Sequence, residues 1–206
     1  MDSVYYHKYK KYKNKYLQLK GDSHKFYFIH GTKNINTLLS ILKEGVIKPG
    51  KNIPEEYRKL SGGEALDYIY GHIYFENLNN LTHYPDFALI INPKIIQEVD
   101  IVFNKGWTVK PANNSIFLNK TDDDNIIDDK LNQIEEFLKD PQLPKKVKEF
   151  SPFYHHEILF TDNIHLKNNL LAVVCNGCEK DKIKKLIDKK YPGTKLYNKN
   201  YPFHNL

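Results

Sequence analysis

Arginine is almost missing from this chain of 206 residues: all but one of its 31 lysines and arginines are lysine, the exception being Arg58. Asparagine, isoleucine and tyrosine are abundant at the same time, a bias that points to coding by AT-rich DNA. Lysine does not reproduce arginine's planar bidentate fork, so Arg58 is either a retained anion contact or an accidental surface charge. Cysteine is nearly as scarce, with only Cys175 and Cys178, in Val-Val-Cys-Asn-Gly-Cys. Such a pair is redox-active or half of a zinc site in other settings. Here no second Cys pair and no His-x-x-x-His completes a metal site. The expectation is a buried strand-end thiol beside a turn thiol, and no metal. Long apolar runs are absent too, none approaching the ~18 residues of a membrane helix. The N-terminus is basic and tyrosine-rich with no apolar stretch behind it, so no secretory signal is expected. An intracellular setting, cytoplasmic or nuclear, without membrane association is expected.

What is present fits one well-packed domain: 40% apolar and 27% charged residues, with a formal net charge of +6. A positive balance of that size favours contact with an anion, whether nucleic acid, nucleotide or acidic protein, through steering and counterion release. Tyrosines at 5, 6, 9, 12 and 16 alternate with lysines at helical spacing. Residues 1–21 therefore read as a basic helical arm that docks its tyrosines on the body, on an acidic partner, or on nucleic acid by stacking.

Residues 22–206 read as one α+β domain. Lys25–His30 is a strand rich in aromatic residues. Asn36 or Thr37 caps a helix that runs through Glu44 and ends at Gly45. A short helix is expected over Glu64–Tyr70, then strands at His72–Phe75, Phe87–Ile91 and Asp100–Phe103. The polar stretch 105–124 reads as loop or lid. Ile126–Lys139 has apolar residues at amphipathic spacing. Strands follow at Glu157–Phe160 and Leu170–Cys175, a lysine-rich helix over Glu179–Lys190, and a last strand near Thr194–Tyr197.

Phosphate-binding Gly-x-x-x-x-Gly-Lys-Ser/Thr, dinucleotide-binding Gly-x-Gly-x-x-Gly and nucleophile-elbow Gly-x-Ser-x-Gly are all absent. Three polar residues stand instead where the local pattern calls for burial. His30 ends an apolar strand and precedes Gly31-Thr32; Tyr74 lies in Gly-His-Ile-Tyr-Phe; Glu157 opens Glu-Ile-Leu-Phe. A carboxylate at the mouth of a buried strand costs desolvation energy unless it is paired or useful. Taken singly, each is better explained structurally: a satisfied strand-end histidine, a core tyrosine, a glutamate paired with a lysine.

Taken in order, the three blocks resemble the H-Y-E class of ADP-ribosyltransferases, which includes diphtheria-toxin-like enzymes, poly(ADP-ribose) polymerases and DarT-type DNA-modifying toxins. His-Gly-Thr followed by a helix ending Leu-Lys-Glu-Gly is similar to the class's opening. Gly-His-Ile-Tyr-Phe with a second tyrosine at Tyr84 is similar to the polymerase branch. His-Glu-Ile-Leu-Phe-Thr-Asp-Asn-Ile is similar to the catalytic-glutamate strand of both branches, and the helix and strand after residue 178 look more like the DarT ending. The resemblance spans roughly residues 26–200, with only the three short blocks close.

It implies a split antiparallel sheet flanked by helices, NAD as co-substrate, and transfer of a single ADP-ribose to a nucleic-acid or protein acceptor. His30 would hydrogen-bond the adenosine ribose. Gly31 would hold the nicotinamide amide through its backbone, and Thr32 would shape the same wall. Tyr74 and Tyr84 would sandwich the nicotinamide ring, and Glu157 would bind the 2′-hydroxyl of its ribose. No arginine block of the class matches around Arg58, which is left as a phosphate or acceptor contact. His155 and His156 fall where the acceptor-facing loop lies, as acceptor contacts or extra bases. The chemistry suits these residue types: bond breaking puts positive charge on the ribose, which a preorganised carboxylate stabilises. Three other readings compete. An RNA 2′-phosphotransferase of the same fold would need several basic residues at its phosphate site, which a single arginine disfavours. A catalytically inactive NAD- or nucleic-acid-binding module would keep the fold without turnover. A nucleic-acid tether would act through residues 1–21 alone.

Overall fold

The computed structural model describes residues 26–52, 67–78, 85–106, 110–140 and 156–197. Alternating apolar residues make the sheet that carries the domain. Its eight strands run β10-β9-β4-β1-β3-β7-β5-β6. They are β1 (Phe26–Gly31), β3 (Ile69–Phe75), β4 (Phe87–Ile91), β5 (Ile101–Asn104), β6 (Ile116–Leu118), β7 (Glu157–Phe160), β9 (Leu170–Cys175) and β10 (Lys195–Tyr197). Every neighbouring pair is antiparallel except β10 with β9. Because side chains alternate between faces, Phe28, Ile73, Leu89, Phe103, Phe160 and Val173 fall on one face and form the main core. The opposite face carries a smaller cluster of Ile29, Tyr74, Ala88, Ile90, Ala172 and Val174. The architecture is α+β with a mostly antiparallel sheet, as expected.

Helices contribute much of the rest of the main core. Helix α1 (Ile35–Glu44) starts at Asn34, whose side chain accepts the Thr37 N–H at 3.0 Å. Leu38 and Leu42 are its fully buried residues. It stops at Gly45, which has φ 86° and donates its N–H to Ile41 O at 2.7 Å, a conformation that glycine adopts without strain. Helix α2 (Asp124–Leu138) is capped by the Asp123 side chain on Ile126 N–H and buries Leu131, Ile134 and Leu138. A one-turn helix, α3 (Leu166–Asn169), leads into β9. Helix α4 (Lys180–Lys190) buries Ile183 and Ile187 and turns its lysines outward.

The last carbonyls of α1 have no partner within the helix, and α4 supplies them. Tyr191 donates its hydroxyl to Leu42 O at 2.7 Å, and Lys190 Nζ donates to Lys43 O. Tyr191→Phe removes the first bond and leaves a buried carbonyl unmatched, so it is expected to lower unfolding free energy by ~1 kcal/mol. Urea unfolding measures this, and an unchanged midpoint at unchanged slope would mean that the α1–α4 tie contributes nothing.

β3 divides the sheet. Its C-terminal half pairs with β1, from Phe26↔Phe75 to Ile29↔His72, and its N-terminal half pairs with β7, from Ile69↔Phe160 to Gly71↔Ile158. The strand changes partner at Gly71 and His72, so the sheet splits there, as the resemblance implied.

Several local expectations are corrected. Ile69 and Tyr70 belong to β3 rather than to a helix over Glu64–Tyr70, because pairing with Leu159 and Phe160 overrides local helical pattern; residues 64–66 lie outside the described residues. The stretch read as loop or lid contains β6, whose Ile116 and Leu118 face the core while Phe117 is exposed. The cap of α1 is Asn34 rather than Asn36 or Thr37, since Asn34 is the residue with extended backbone. A two-stranded ribbon of β2 (Val46–Ile47) with β8 (Ile164–His165) was not read from sequence. Cys175 and Cys178 are joined as a disulfide rather than left as two thiols; the one is buried at the end of β9 and the other follows in the turn. The basic arm of residues 1–21 lies outside the described residues. Among those described, no helix is long and apolar enough to cross a membrane.

Candidate active site

Where β3 leaves β1 for β7, the backbones part and a cavity of about 420 Å³ opens, within the range of small-molecule sites. Its first wall is the end of β1, Gly31, Thr32 and Lys33; its floor is Tyr70, Gly71 and His72 of β3. The opposite wall is His156 and Glu157, where β7 begins, and the lip is Pro85, Asp86 and Phe87 at the start of β4. Two backbone bonds fix that lip. Thr32 N–H donates to Phe87 O at 2.8 Å, and Asn176 N–H donates to Asp86 O at 2.8 Å. Asn176 also donates from its side chain to Asp86 Oδ1 at 2.7 Å, so the disulfide-closed turn Cys175–Cys178 holds the lip in place.

Glu157 is the buried acidic residue of the cavity, whereas Lys33 and Asp86 line it from exposed positions. It is 4% exposed and accepts a hydrogen bond from Asn104 Nδ2 at 3.1 Å. Asn104 is its partner in the ladder between β5 and β7 and is itself fully buried. Burial, and then the Glu157 charge, push the Tyr70 phenol up to about 12, so it keeps its proton at neutral pH. His156 is also buried, with its ring stacked on Phe103 at 5.7 Å and set edge-on to His72 at 5.6 Å. The site thus combines a carboxylate, a protonated phenol and two imidazoles against one small cavity.

His30 stands directly behind the first wall. Its Nδ1 lies 2.7 Å from Tyr70 O; a carbonyl only accepts, so Nδ1 carries the proton and Nε2 carries the lone pair. Burial lowers its pKa below the ordinary value, against the opposing pull of that carbonyl, and the ring is neutral at pH 7. The bond also ties the end of β1 to β3 at the point where the sheet splits.

Of the residues singled out in the sequence, Gly31, Thr32, His156 and Glu157 meet around the cavity, and His30 adjoins it. Tyr74 does not line it: the side chain is 1% exposed, inside the second apolar cluster. Arg58, Tyr84 and His155 lie outside the described residues. Sequence reasoning missed Tyr70, His72 and Asn104. Tyr70 and His72 share a strand face with Tyr74, and their alternation with Ile69 and Ile73 was the available signal. Asn104, like Glu157, is a polar residue at the end of an apolar strand. Among the described residues no three His, Cys, Asp or Glu side chains are grouped to hold a metal ion.

The model of a family described as a family of unknown function (DUF5846) matches residues 23–141. An uncharacterized protein of Acanthamoeba polyphaga mimivirus is 42% identical over 230 residues, covering 100% of this chain and 85% of its own length. Among solved structures the chain is similar to Thermus sp. 2.9 DarT in complex with carba-NAD⁺, with TM-score 0.49, 13% identity and coverage of 84% of this chain and 95% of that one. It is similar to the same protein in complex with ADP-ribosylated single-stranded DNA, with TM-score 0.47, 13% identity and coverage of 84% and 93%.

Proposed function

This chain belongs to the DUF5846 family, and for it we propose an NAD-dependent mono-ADP-ribosyltransferase that moves ADP-ribose to a macromolecular acceptor, nucleic acid or protein. The observation that carries the reading is the placement of Glu157, a buried carboxylate at the split of the sheet, facing a cavity rimmed by the Gly31–Thr32 backbone. The donor set fits the nicotinamide riboside end of NAD⁺. A neutral aromatic ring, exposed backbone groups and one buried carboxylate, with Lys33 and Asp86 exposed at the rim, match a flat amide-bearing ring whose ribose turns cationic as the bond breaks.

In this reading Gly31 holds the nicotinamide amide through its backbone and Thr32 closes the wall. The ring stacks on Tyr70, which takes the part that the sequence blocks assigned to Tyr74, while Tyr74 packs the domain. Tyr84 and Arg58 remain candidates for the second face of the ring and for the phosphates. His30 offers Nε2 to a ribose hydroxyl. Glu157 accepts the 2′-hydroxyl and stabilises the positive charge that develops on the ribose. Nicotinamide leaves with the electrons of its bond and needs no proton. The acceptor nucleophile then bonds to the same ribose carbon and loses a proton to Glu157, or to His156 or His155.

The test is nicotinamide release from NAD⁺ by the purified chain, alone and with single-stranded DNA, RNA or cell protein, beside Glu157→Ala. Release that depends on Glu157 and accelerates with one addition supports the reading and identifies the acceptor class. NAD⁺ binding without release in any condition replaces it with an inactive binding module. Neither binding nor release overturns it.

A further inference from the structure

The buried polar chain behind Glu157 is more ordered than a structural filler requires. Asn104 Oδ1 faces Ser115 Oγ at 2.5 Å, and Ser115 Oγ accepts the Ala112 N–H at 2.8 Å. The serine hydroxyl donates its proton to Oδ1 in this arrangement. The Nδ2 end then reaches Lys110 O and Glu157 Oε2, both at 3.1 Å. Turning the amide over would set its oxygen against a carbonyl and a carboxylate, both of which only accept. The side chain thus has one workable orientation, and that orientation presents a donor to Glu157. The contact crosses the β5–β7 ladder at the register pair Asn104↔Glu157, so neither partner moves without disturbing the sheet.

We propose that Asn104 is the positioning residue of this site: its amide, oriented by Ser115, holds one oxygen of the Glu157 carboxylate and thereby aims the carboxylate at substrate in the cavity. The inference rests on the reading of Glu157 given above, but its physical content is separate from turnover. A donated hydrogen bond favours the ionised carboxylate over the acid. Losing it should raise the pH at which Glu157 takes up a proton by about 1–2 units, the equivalent of one bond to a charged group. The other titratable groups lining the same cavity, Lys33, Tyr70, His72, Asp86 and His156, are unchanged across the comparison.

The experiment uses the full chain as wild type, Asn104→Leu, Asn104→Asp and Ser115→Ala. Carboxyl-carbon NMR follows the Glu157 titration directly, and the pH dependence of nicotinamide release follows its effect on turnover. Asn104→Leu and Asn104→Asp should both move the titration upward, Asn104→Asp the further because it sets a second carboxylate against the first. Ser115→Ala should move it in the same direction by less, since the amide survives but loses its anchor. Release should fall about 10- to 100-fold in kcat in the Asn104 variants, with KM within about threefold and the acid limb of the profile shifted upward. An unmoved Glu157 titration in Asn104→Leu overturns the proposal, whether or not the chain turns over NAD⁺. A normal upward shift together with no release in the wild type would retain the positioning contact and reject the transferase reading instead. If Asn104→Leu fails to fold, Ser115→Ala, which deletes one exchangeable hydroxyl, decides the matter by the same titration.

Discussion

Glu157→Gln is expected to lower kcat for nicotinamide release by about 10²–10³-fold while KM for NAD⁺ changes by less than about threefold. Glutamine keeps the size of the side chain and an oxygen able to accept from Asn104 Nδ2, so the 3.1 Å bond survives. The amide still offers a contact to a ribose hydroxyl, which preserves ground-state binding. What it lacks is the full negative charge, and that charge matters most when the ribose turns cationic. A loss confined to kcat is the signature of an interaction that strengthens in the transition state. Folding stability should hold or rise, because a buried charge is costly and the variant removes it. A kcat within threefold of wild type, at unchanged stability, would mean that the carboxylate's charge does not act on the reacting bond.

How much of this was legible in the sequence depended on whether the signal was local. β7 and β9 were read to the residue, because Glu157–Phe160 and Leu170–Cys175 are short apolar runs bounded by turn residues. Helices α1, α2 and α4 were found by their periodicity and missed only at their ends, whereas the one-turn α3 was not read. β3 was cut short at His72 because Glu64–Tyr70 has helical local pattern, and only pairing with Leu159 and Phe160, some 90 residues away in the chain, makes it a strand. The site followed the same division. His30 and Glu157 stood out as polar residues bordering apolar strands, and both are at the split of the sheet. Asn104 has the same signature but fell one residue beyond the strand read at Asp100–Phe103. Tyr70 was hidden by the helix reading, and the choice between Tyr70 and Tyr74 needed the course of β3 past the cavity. The disulfide was open in the sequence as a Cys-x-x-Cys pair, and the turn geometry after β9 brings the two sulfurs together.

That same splitting strand supplies the second large effect: Gly71→Ala is expected to lower unfolding free energy by about 2–3 kcal/mol and the melting temperature by about 5–10 °C. A Cβ built at Gly71 would stand 2.8 Å from Ile29 O and 3.1 Å from Phe160 Cε2. The phenyl ring can give a little, but the carbonyl cannot. Ile29 sits in a central strand, paired to His72 on one side and Ile90 on the other, so moving its backbone strains two ladders at once. Glycine is therefore required here for close approach of backbone rather than for its own dihedral freedom. The cost should also reach the cavity, because Gly71 is part of its floor and lies between Tyr70 and His72. Pushing β3 away from β1 shifts the Tyr70 ring relative to Glu157, so KM for NAD⁺ and kcat for release should both worsen, unlike the kcat-only loss of Glu157→Gln. Gly106→Ala serves as the control: a Cβ there meets nothing within 4 Å, and its stability change should stay within about 0.5 kcal/mol. Equal melting of the two glycine variants would mean that the strands at the split do not approach as closely as described, and the cavity they frame would have to be redrawn.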